Sequence, residues 1–335
     1  MSKTTVLLVN LGTPDSPSVS DVRSYLSQFL NDPRVIDIPW LVRKLLVNLI
    51  IVPFRAPKSA KIYKDLWTAN GSPIITHGQS VKQLLQAKLG SDYTVELAMR
   101  YKNPSVPDVL ARIQKTNPKK IIILPLFPHY ASASTGSALQ EVMDVIRNWW
   151  VIPELSFISQ YWDHPGFINA FIARGQQYDW REYDHVIFSY HGLPERHVDK
   201  VYDNGLCLDR DCLHEVNDEN YYCYKATCYG TTRLLAAGLG IPEDKYTVSF
   251  QSRLDKNWIE PFSDKIVEQK AKEGAKKLLV FSPAFVADCL ETTIEIGEEY
   301  QEIFEEHGGE KVQLVESLND HPLWIDALED MVRTR

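Results

Sequence analysis

The chain has 335 residues, 44% of them hydrophobic and 24% charged, a mix that suits a globular protein with room for two cores of ordinary size. Its 36 Lys and Arg against 44 Asp and Glu leave a net charge of −8, and no long basic run offers a groove for nucleic acid. The longest apolar run, LLVNLIIVPF at Leu45–Phe54, is too short to span a bilayer.

The first strand-like run, TTVLLVNLG, lies near the N-terminus, and its apolar stretch Val6–Val9 is shorter than a secretory h-region. A chain without an export signal is expected in the reducing cytoplasm, where clustered cysteines are metal ligands more often than disulfides. Val35–Lys58 follows, with Trp40, Leu41, Leu45 and Leu46 interleaved with Arg43 and Lys44. An apolar helix flanked by cations can lie in a membrane interface, or it can pack on its own sheet.

Three further runs, YTVELAMRY, KKIIILPLFP and ELSFISQYW, complete a first set of four. DHVIFSYHG, YTVSFQSR, KKLLVFSPAF and VQLVESLND form a second. Short β-branched runs alternating with longer helical patterns predict parallel βαβ units. The two sets correspond in order. Tyr93 of YTVE and Tyr246 of YTVS are 153 residues apart. Lys119-Lys120 and Lys276-Lys277 are 157 apart, as are Asp163-His164-Pro165 and Asp320-His321-Pro322. NLGTP (Asn10–Pro14) aligns with YHGLP (Tyr190–Pro194) at an offset of 180. The expected fold is therefore α/β: two similar Rossmann-like halves, each a four-stranded parallel sheet flanked by helices, with a cleft between them. Residues 1–165 form the first half and residues 166–320 the second, which carries a cysteine-rich insertion at 206–228. Residues 321–335 form a helix packing back on the first half.

In open parallel sheets, ligands bind beyond the carboxyl ends of the strands. The candidate loops are Leu11–Pro14, Arg100–Tyr101, Pro128–Thr135, His191–Pro194, Gln251–Arg253 and Pro283–Glu291. NLGTPDSP has one glycine where a dinucleotide fingerprint needs three, which speaks against nicotinamide redox chemistry. His191, after a buried-looking strand and before Gly192 and Pro194, is placed either as a proton acceptor or metal ligand or as a core histidine. Asp288, Glu291 and Glu295 are spaced to share one helical face, where they could carry protons or a divalent cation. Arg55, Lys58 and Arg100 could hold the carboxylates of a ligand. The small residues of PHYASASTGSALQEV fit an anion-friendly loop entering a helix.

The insertion LCLDRDCLHEVNDENYYCYKATC places Cys207, Cys212, Cys223 and Cys228 at x4, x10 and x4 spacings. Four thiolates suit an iron–sulfur cluster or a tetrahedral zinc, with C-x4-C loose for zinc knuckles. A cysteine-saturated site has no open position for a substrate ion.

Taken together, SYHGLP, SPAFVADCLET, MRYKNPS, PHYASASTGS and NLGTPDSP resemble ferrochelatase over nearly the whole chain. The resemblance implies an enzyme inserting ferrous iron into a porphyrin, protoporphyrin IX or coproporphyrin, bound in the cleft. By motif it carries His191 as the family's histidine and Glu291 as the facing acid, with Asp288 and Glu295 relaying protons or iron. Asn10, Leu11, Pro14, Arg55, Ser72, Gln79, Arg100, Tyr101, Tyr130, Ser132 and Trp258 match cleft-lining positions. Leu11 takes the place of His191 in the repeat, giving one apolar and one basic wall, and strain on the bound macrocycle would expose its nitrogen lone pairs. The resemblance also favours a 2Fe-2S cluster on the four cysteines, with structural zinc as the alternative. It further implies peripheral membrane contact on the cytoplasmic face, with heme-pathway enzymes or heme acceptors as partners. Cys289 departs from the pattern, standing where many relatives have histidine. Other readings are a chelatase for another metal and tetrapyrrole, and a two-lobed binding protein.

Overall fold

Eight strands form where the eight apolar runs lie. The computed structural model describes residues 4–335, with β1 (Thr4–Gly12), β2 (Tyr93–Tyr101), β3 (Lys120–Pro125), β4 (Glu154–Phe157), β5 (His185–His191), β6 (Tyr246–Gln251), β7 (Lys277–Phe281) and β8 (Lys311–Leu314). They make two all-parallel four-stranded sheets, ordered β2-β1-β3-β4 and β6-β5-β7-β8. The second order is the first with every strand advanced by four, as the offsets in the sequence require.

The unbroken hydrophobicity of β1 has a simple cause. Helices cover both faces of a parallel sheet, so inward and outward positions are both buried. Val6, Leu7, Leu8 and Val9 are all fully buried. Leu7 and Val9 pack with Ile121 and Ile123 against the helices Val106–Lys115 and Ser137–Ile146. The first of these helices buries Val106, Val109, Leu110 and Ile113, a spacing that makes one apolar stripe. Ser105 caps it by accepting the Asp108 N–H at 3.2 Å. In the second sheet Ile187, Leu278 and Val280 pack with Val267, Ile296 and Phe304 in the same manner.

The chain divides into two compact units. One comprises residues 1–127, 131–160 and 328–335, and the other residues 128–130 and 161–327. Of the helix Pro322–Arg333, the second half, from Leu328 on, groups with the first unit. Within that unit Lys120 Nζ donates to the Arg335 carbonyl at 2.8 Å and Arg333 to the Lys88 carbonyl at 3.2 Å.

Two glycines mark the repeat at atomic scale. A Cβ on Gly12, whose φ is +109°, would stand 2.0 Å from the carbonyl oxygen of Tyr101, the last residue of β2. A Cβ on Gly192 would stand 2.8 Å from the carbonyl oxygen of Gln251, the last residue of β6. In both sheets the chain leaving the central strand turns across the end of its neighbour, and a side chain does not fit there. Gly12→Ala is expected to cost roughly 2–5 kcal/mol through positive φ and collision, and Gly192→Ala about 1–3 kcal/mol. Urea titration of each variant checks both values.

Candidate functional site

In the second unit β5 delivers His191 to the carboxyl edge of its sheet. The ring Nδ1 lies 2.6 Å from the Gly192 carbonyl oxygen. A carbonyl only accepts, so Nδ1 carries the proton and, in the neutral ring, Nε2 keeps its lone pair. The half-buried imidazole has Trp258 and Phe285 as ring neighbours, at centroid distances of 6.4 and 6.3 Å. Trp258 is held by backbone pairing to Pro194 and by the Ile259 N–H donating to the Leu193 carbonyl at 2.9 Å.

The acids after β7 separate into different environments. Leu290–Glu299 winds as a wide i→i+5 helix. Cys289 before it is extended, with φ −152° and ψ −173°. Asp288 therefore precedes the helix and does not share a face with Glu291 and Glu295, against the expectation from spacing. Its carboxylate accepts instead from Asn319 Nδ2 at 2.7 Å and the Ser317 N–H at 3.2 Å. Glu295 accepts from the Ser252 N–H (2.8 Å), Ser252 Oγ (2.5 Å), Gln251 Nε2 (3.1 Å) and Tyr300 Oη (3.2 Å). Four donors make it an anchor for the end of β6. Buried Gln251 also donates to the Glu291 backbone carbonyl at 2.8 Å and accepts from Ser189 Oγ at 2.8 Å. Glu291 is half-buried, with its carboxylate beside the Cys289 thiol. Burial, and then that carboxylate, push the thiol well above its ordinary range, so Cys289 stays a neutral, buried SH. Glu299, one step further along, is raised by burial and by the Glu295 charge.

The first unit has a polar cluster at the corresponding strand end, and its centre, Asp32, carries no sequence signal beyond the turn-like NDP. The buried Asp32 carboxylate accepts from Arg100 Nη2 at 2.7 Å, Tyr101 Oη at 2.9 Å, Ser137 Oγ at 2.5 Å and the Arg34 N–H at 2.7 Å. Burial alone would raise its pKa, but these donors outweigh it and hold the carboxyl below its usual range. Arg100 also reaches Glu141 at 3.3 Å. Tyr101 is fully buried and its phenol is pushed up by burial and the Asp32 charge. Both residues, matched to the cleft by sequence, are therefore engaged in a buried ion-pair cluster. A recess of about 570 Å³ opens beside it, lined by Ser24, Ser27, Gln28, Asn31, Lys44 and Arg100 among others.

The other matched positions are distributed as follows. Asn10 is buried at the end of β1, its Oδ1 accepting the Leu11 N–H at 2.8 Å, with Leu11 half-buried and Pro14 buried beyond it. Ser132 opens a wide turn, Ser132–Gly136, and accepts from Arg34 Nη1 at 2.8 Å. Buried Ser72 precedes the helix Pro73–Leu89, which carries half-buried Gln79, and Arg55 is exposed on the helix Val52–Leu66. Tyr130, in the second unit, packs edge-on against Tyr222 at 5.4 Å. Its neighbour His129 is enclosed, donating Nε2–H to Thr231 Oγ1 at 2.9 Å, because that hydroxyl itself donates to the Trp162 carbonyl. Burial lowers the His129 pKa to about 3.

Within Val35–Lys58 the side chains of Trp40, Leu41, Leu45, Leu49, Ile50 and Phe54 are exposed, Phe54 by 75%. Arg43 differs from the expected surface cation. It is buried and donates to the Ile36 and Ile38 carbonyls at 3.1 and 2.8 Å, closing the turn that leads into the helix. Among the described residues no helix is long and apolar enough to cross a membrane. In the insertion, Cys207, Cys212 and Cys223 bring their sulfurs together and could bind a metal ion, while Cys228 lies outside the group.

A ferrochelatase family profile matches residues 3–335. The chain is 42% identical over 339 residues to the ferrochelatase of Pseudomonas putida, covering 99% of each. It is 43% identical over 328 residues to that of Legionella pneumophila, covering 98% of each. Among solved structures it is similar to SirB from Bacillus subtilis with Fe3+, with TM-score 0.57 and 12% identity over 99% of this chain and 94% of that one. It is also similar to the sirohydrochlorin chelatase SirB from Bacillus subtilis subspecies spizizenii in complex with cobalt, with TM-score 0.56, 11% identity and the same coverage. The two parallel sheets are thus those of a chelatase fold. The chain belongs to the ferrochelatase family, enzymes that insert metal into a tetrapyrrole.

Asp32→Asn is expected to lose roughly 3–5 kcal/mol, because Arg100 loses its buried, shorter counter-charge and keeps only the 3.3 Å pair with Glu141. The depressed carboxyl contributes stability above its unfolded value and loses it as pH falls through its lower folded value. Urea titrations should therefore show the gap between variant and wild type closing as pH drops below the ordinary carboxylate range.

Proposed function

We propose that the chain inserts ferrous iron into protoporphyrin IX, giving protoheme as the last step of heme synthesis. The observation that carries this reading is the imidazole of His191, whose Nδ1–H is held by Gly192 and whose Nε2 lone pair is left at the strand end. Insertion releases two pyrrole N–H protons as four ring nitrogens bind iron(II), with no change of oxidation state. A neutral imidazole suits the first proton transfer at physiological pH. Glu291 takes the proton onward or delivers iron. Glu295 and Asp288, each fastened by hydrogen bonds, act as positioning residues for the helix that carries Glu291. Leu11 supplies the apolar contact with the macrocycle where His191 supplies the basic one.

The exposed band from Trp40 to Phe54 favours protoporphyrin over coproporphyrin. Two vinyl groups replace two propionates, so the substrate is less soluble and is better drawn from a lipid surface. The same band suits peripheral attachment to the inner face of the cytoplasmic membrane. For the cysteines, the sequence resemblance supports a 2Fe-2S cluster, with structural zinc as the alternative; the buried sulfurs of Cys207, Cys212 and Cys223 could bind either.

An anaerobic assay with ferrous iron should give faster insertion into protoporphyrin than into coproporphyrin, and the reverse order would reassign the substrate. His191→Ala should keep porphyrin binding and lose roughly 10²–10⁴-fold in turnover; near-normal turnover would remove His191 from the chemistry. Leu49→Glu with Phe54→Glu should abolish co-sedimentation with anionic vesicles and leave insertion into a water-soluble porphyrin intact.

A further inference from the structure

Of the cations expected to meet the carboxylates of a ligand, Arg55 and Lys58 are exposed on the helix Val52–Leu66. Arg100 is paired with Asp32 at 2.7 Å and with Glu141 at 3.3 Å. Arg34, which no motif singles out, is placed differently. Its half-buried guanidinium donates from Nε to Gln140 Oε1 at 2.6 Å and from Nη1 to Ser132 Oγ at 2.8 Å. Both acceptors are neutral. The neighbouring Asp32 carboxylate takes only the Arg34 backbone N–H, at 2.7 Å, and gives its charge to Arg100.

A guanidinium carries five N–H donors, and these two bonds leave three unused, two of them on Nη2. The bonds also fix the plane of the group, so little side-chain freedom remains to be lost when an anion arrives. Ser132 belongs to the wide turn Ser132–Gly136, which follows β3 at the carboxyl end of the sheet. Its oxygen accepts from Arg34, and its own O–H is left to donate.

The residues that follow Arg34 are apolar. Val35 and Ile36 are partly buried and pack, like Leu11 and Ile51, against the core of Val22, Leu26, Val47 and Tyr101. Leu11 is the residue proposed to meet the macrocycle, so Arg34 stands where that apolar cluster ends. A fixed guanidinium and a hydroxyl beside an apolar surface complement a flat apolar ring that ends in carboxylates.

We propose that Arg34, with Ser132 beside it, binds a propionate carboxylate of the porphyrin and so selects for substrates that carry the free acid. Gln140 acts as a positioning residue by fixing Nε. The proposal deepens the porphyrin reading of the substrate and rests on it.

The test compares metal-free protoporphyrin IX with its dimethyl ester, both in detergent, through quenching of the tryptophan emission of the full chain. The wild type should prefer the acid. Arg34→Gln should bind the acid roughly ten- to hundredfold more weakly and the ester about as well as wild type. In the insertion assay it should raise KM for protoporphyrin by a similar factor with kcat little changed. Arg34→Lys keeps the charge without the fork and should recover part of the acid affinity; it also serves if thermal melting shows that the glutamine variant does not fold. Equal losses for acid and ester would make Arg34 a structural residue and overturn the proposal. So would a wild type that binds acid and ester alike, a result that depends on no variant. A wild type that binds neither would instead remove the porphyrin reading itself.

Discussion

In each sheet a glycine at the end of the central strand, Gly12 closing β1 and Gly192 just past β5, passes over the carbonyl end of its neighbour so closely that it leaves no room for a Cβ. This close approach fixes the direction in which the chain leaves β1 and β5. It therefore fixes the residue before it: Leu11 in one sheet and His191 in the other. The same geometry thus presents an alkyl side chain once and an imidazole once. The Gly192 carbonyl has a second consequence, because it holds the Nδ1 proton of His191 and so decides which ring nitrogen is basic. Backbone packing and the tautomer of the proposed base are parts of one constraint.

Around these strand ends, the acids differ in how far they are already satisfied. Asp32, in the loop after the helix Val19–Leu30, and Glu295, on the helix after β7, each accept four hydrogen bonds and each tie the end of the second strand of their sheet to the helix after the third. Four donors fix such a carboxylate in place, so its work is to hold neighbouring elements together. Glu291 differs. Its backbone carbonyl is pinned by Gln251, while its side chain lies against a thiol that burial keeps neutral. In the proposed mechanism, structural and chemical work are divided between residues four positions apart on one wide helix. Cys289 supplies bulk there without a second charge to compete.

The cysteine segment obeys a different logic. Its side chains converge because a short loop is folded back onto the start of a helix, and because Arg210, Asp199 and Tyr202 close that loop from outside. Cys228 is in the same stretch of sequence but on the helix proper, where its direction is set by the helical phase and its thiol joins the core. Closeness along the chain does not make it a member of the sulfur group.

The sequence by itself determined the two parallel sheets, their matching strand order and the position of His191 at a strand end. Period, β-branching and internal offsets are local properties, and covered parallel strands show them as continuous apolar runs. Other features came only from the tertiary structure. Asp32 finds Arg100 and Tyr101 from 68 and 69 residues away, so no local pattern announces it, and Arg100 and Tyr101 read as open strand-end residues until that partner is known. The helical face expected for Asp288, Glu291 and Glu295 failed because the extended Cys289 delays the helix, a backbone state that spacing does not encode. Arg43 looked like a surface cation because its acceptors are backbone carbonyls, which leave no mark in the side-chain pattern. Four cysteines are visible in the sequence, but which of them meet depends on three-dimensional direction, and that only the folded chain decides.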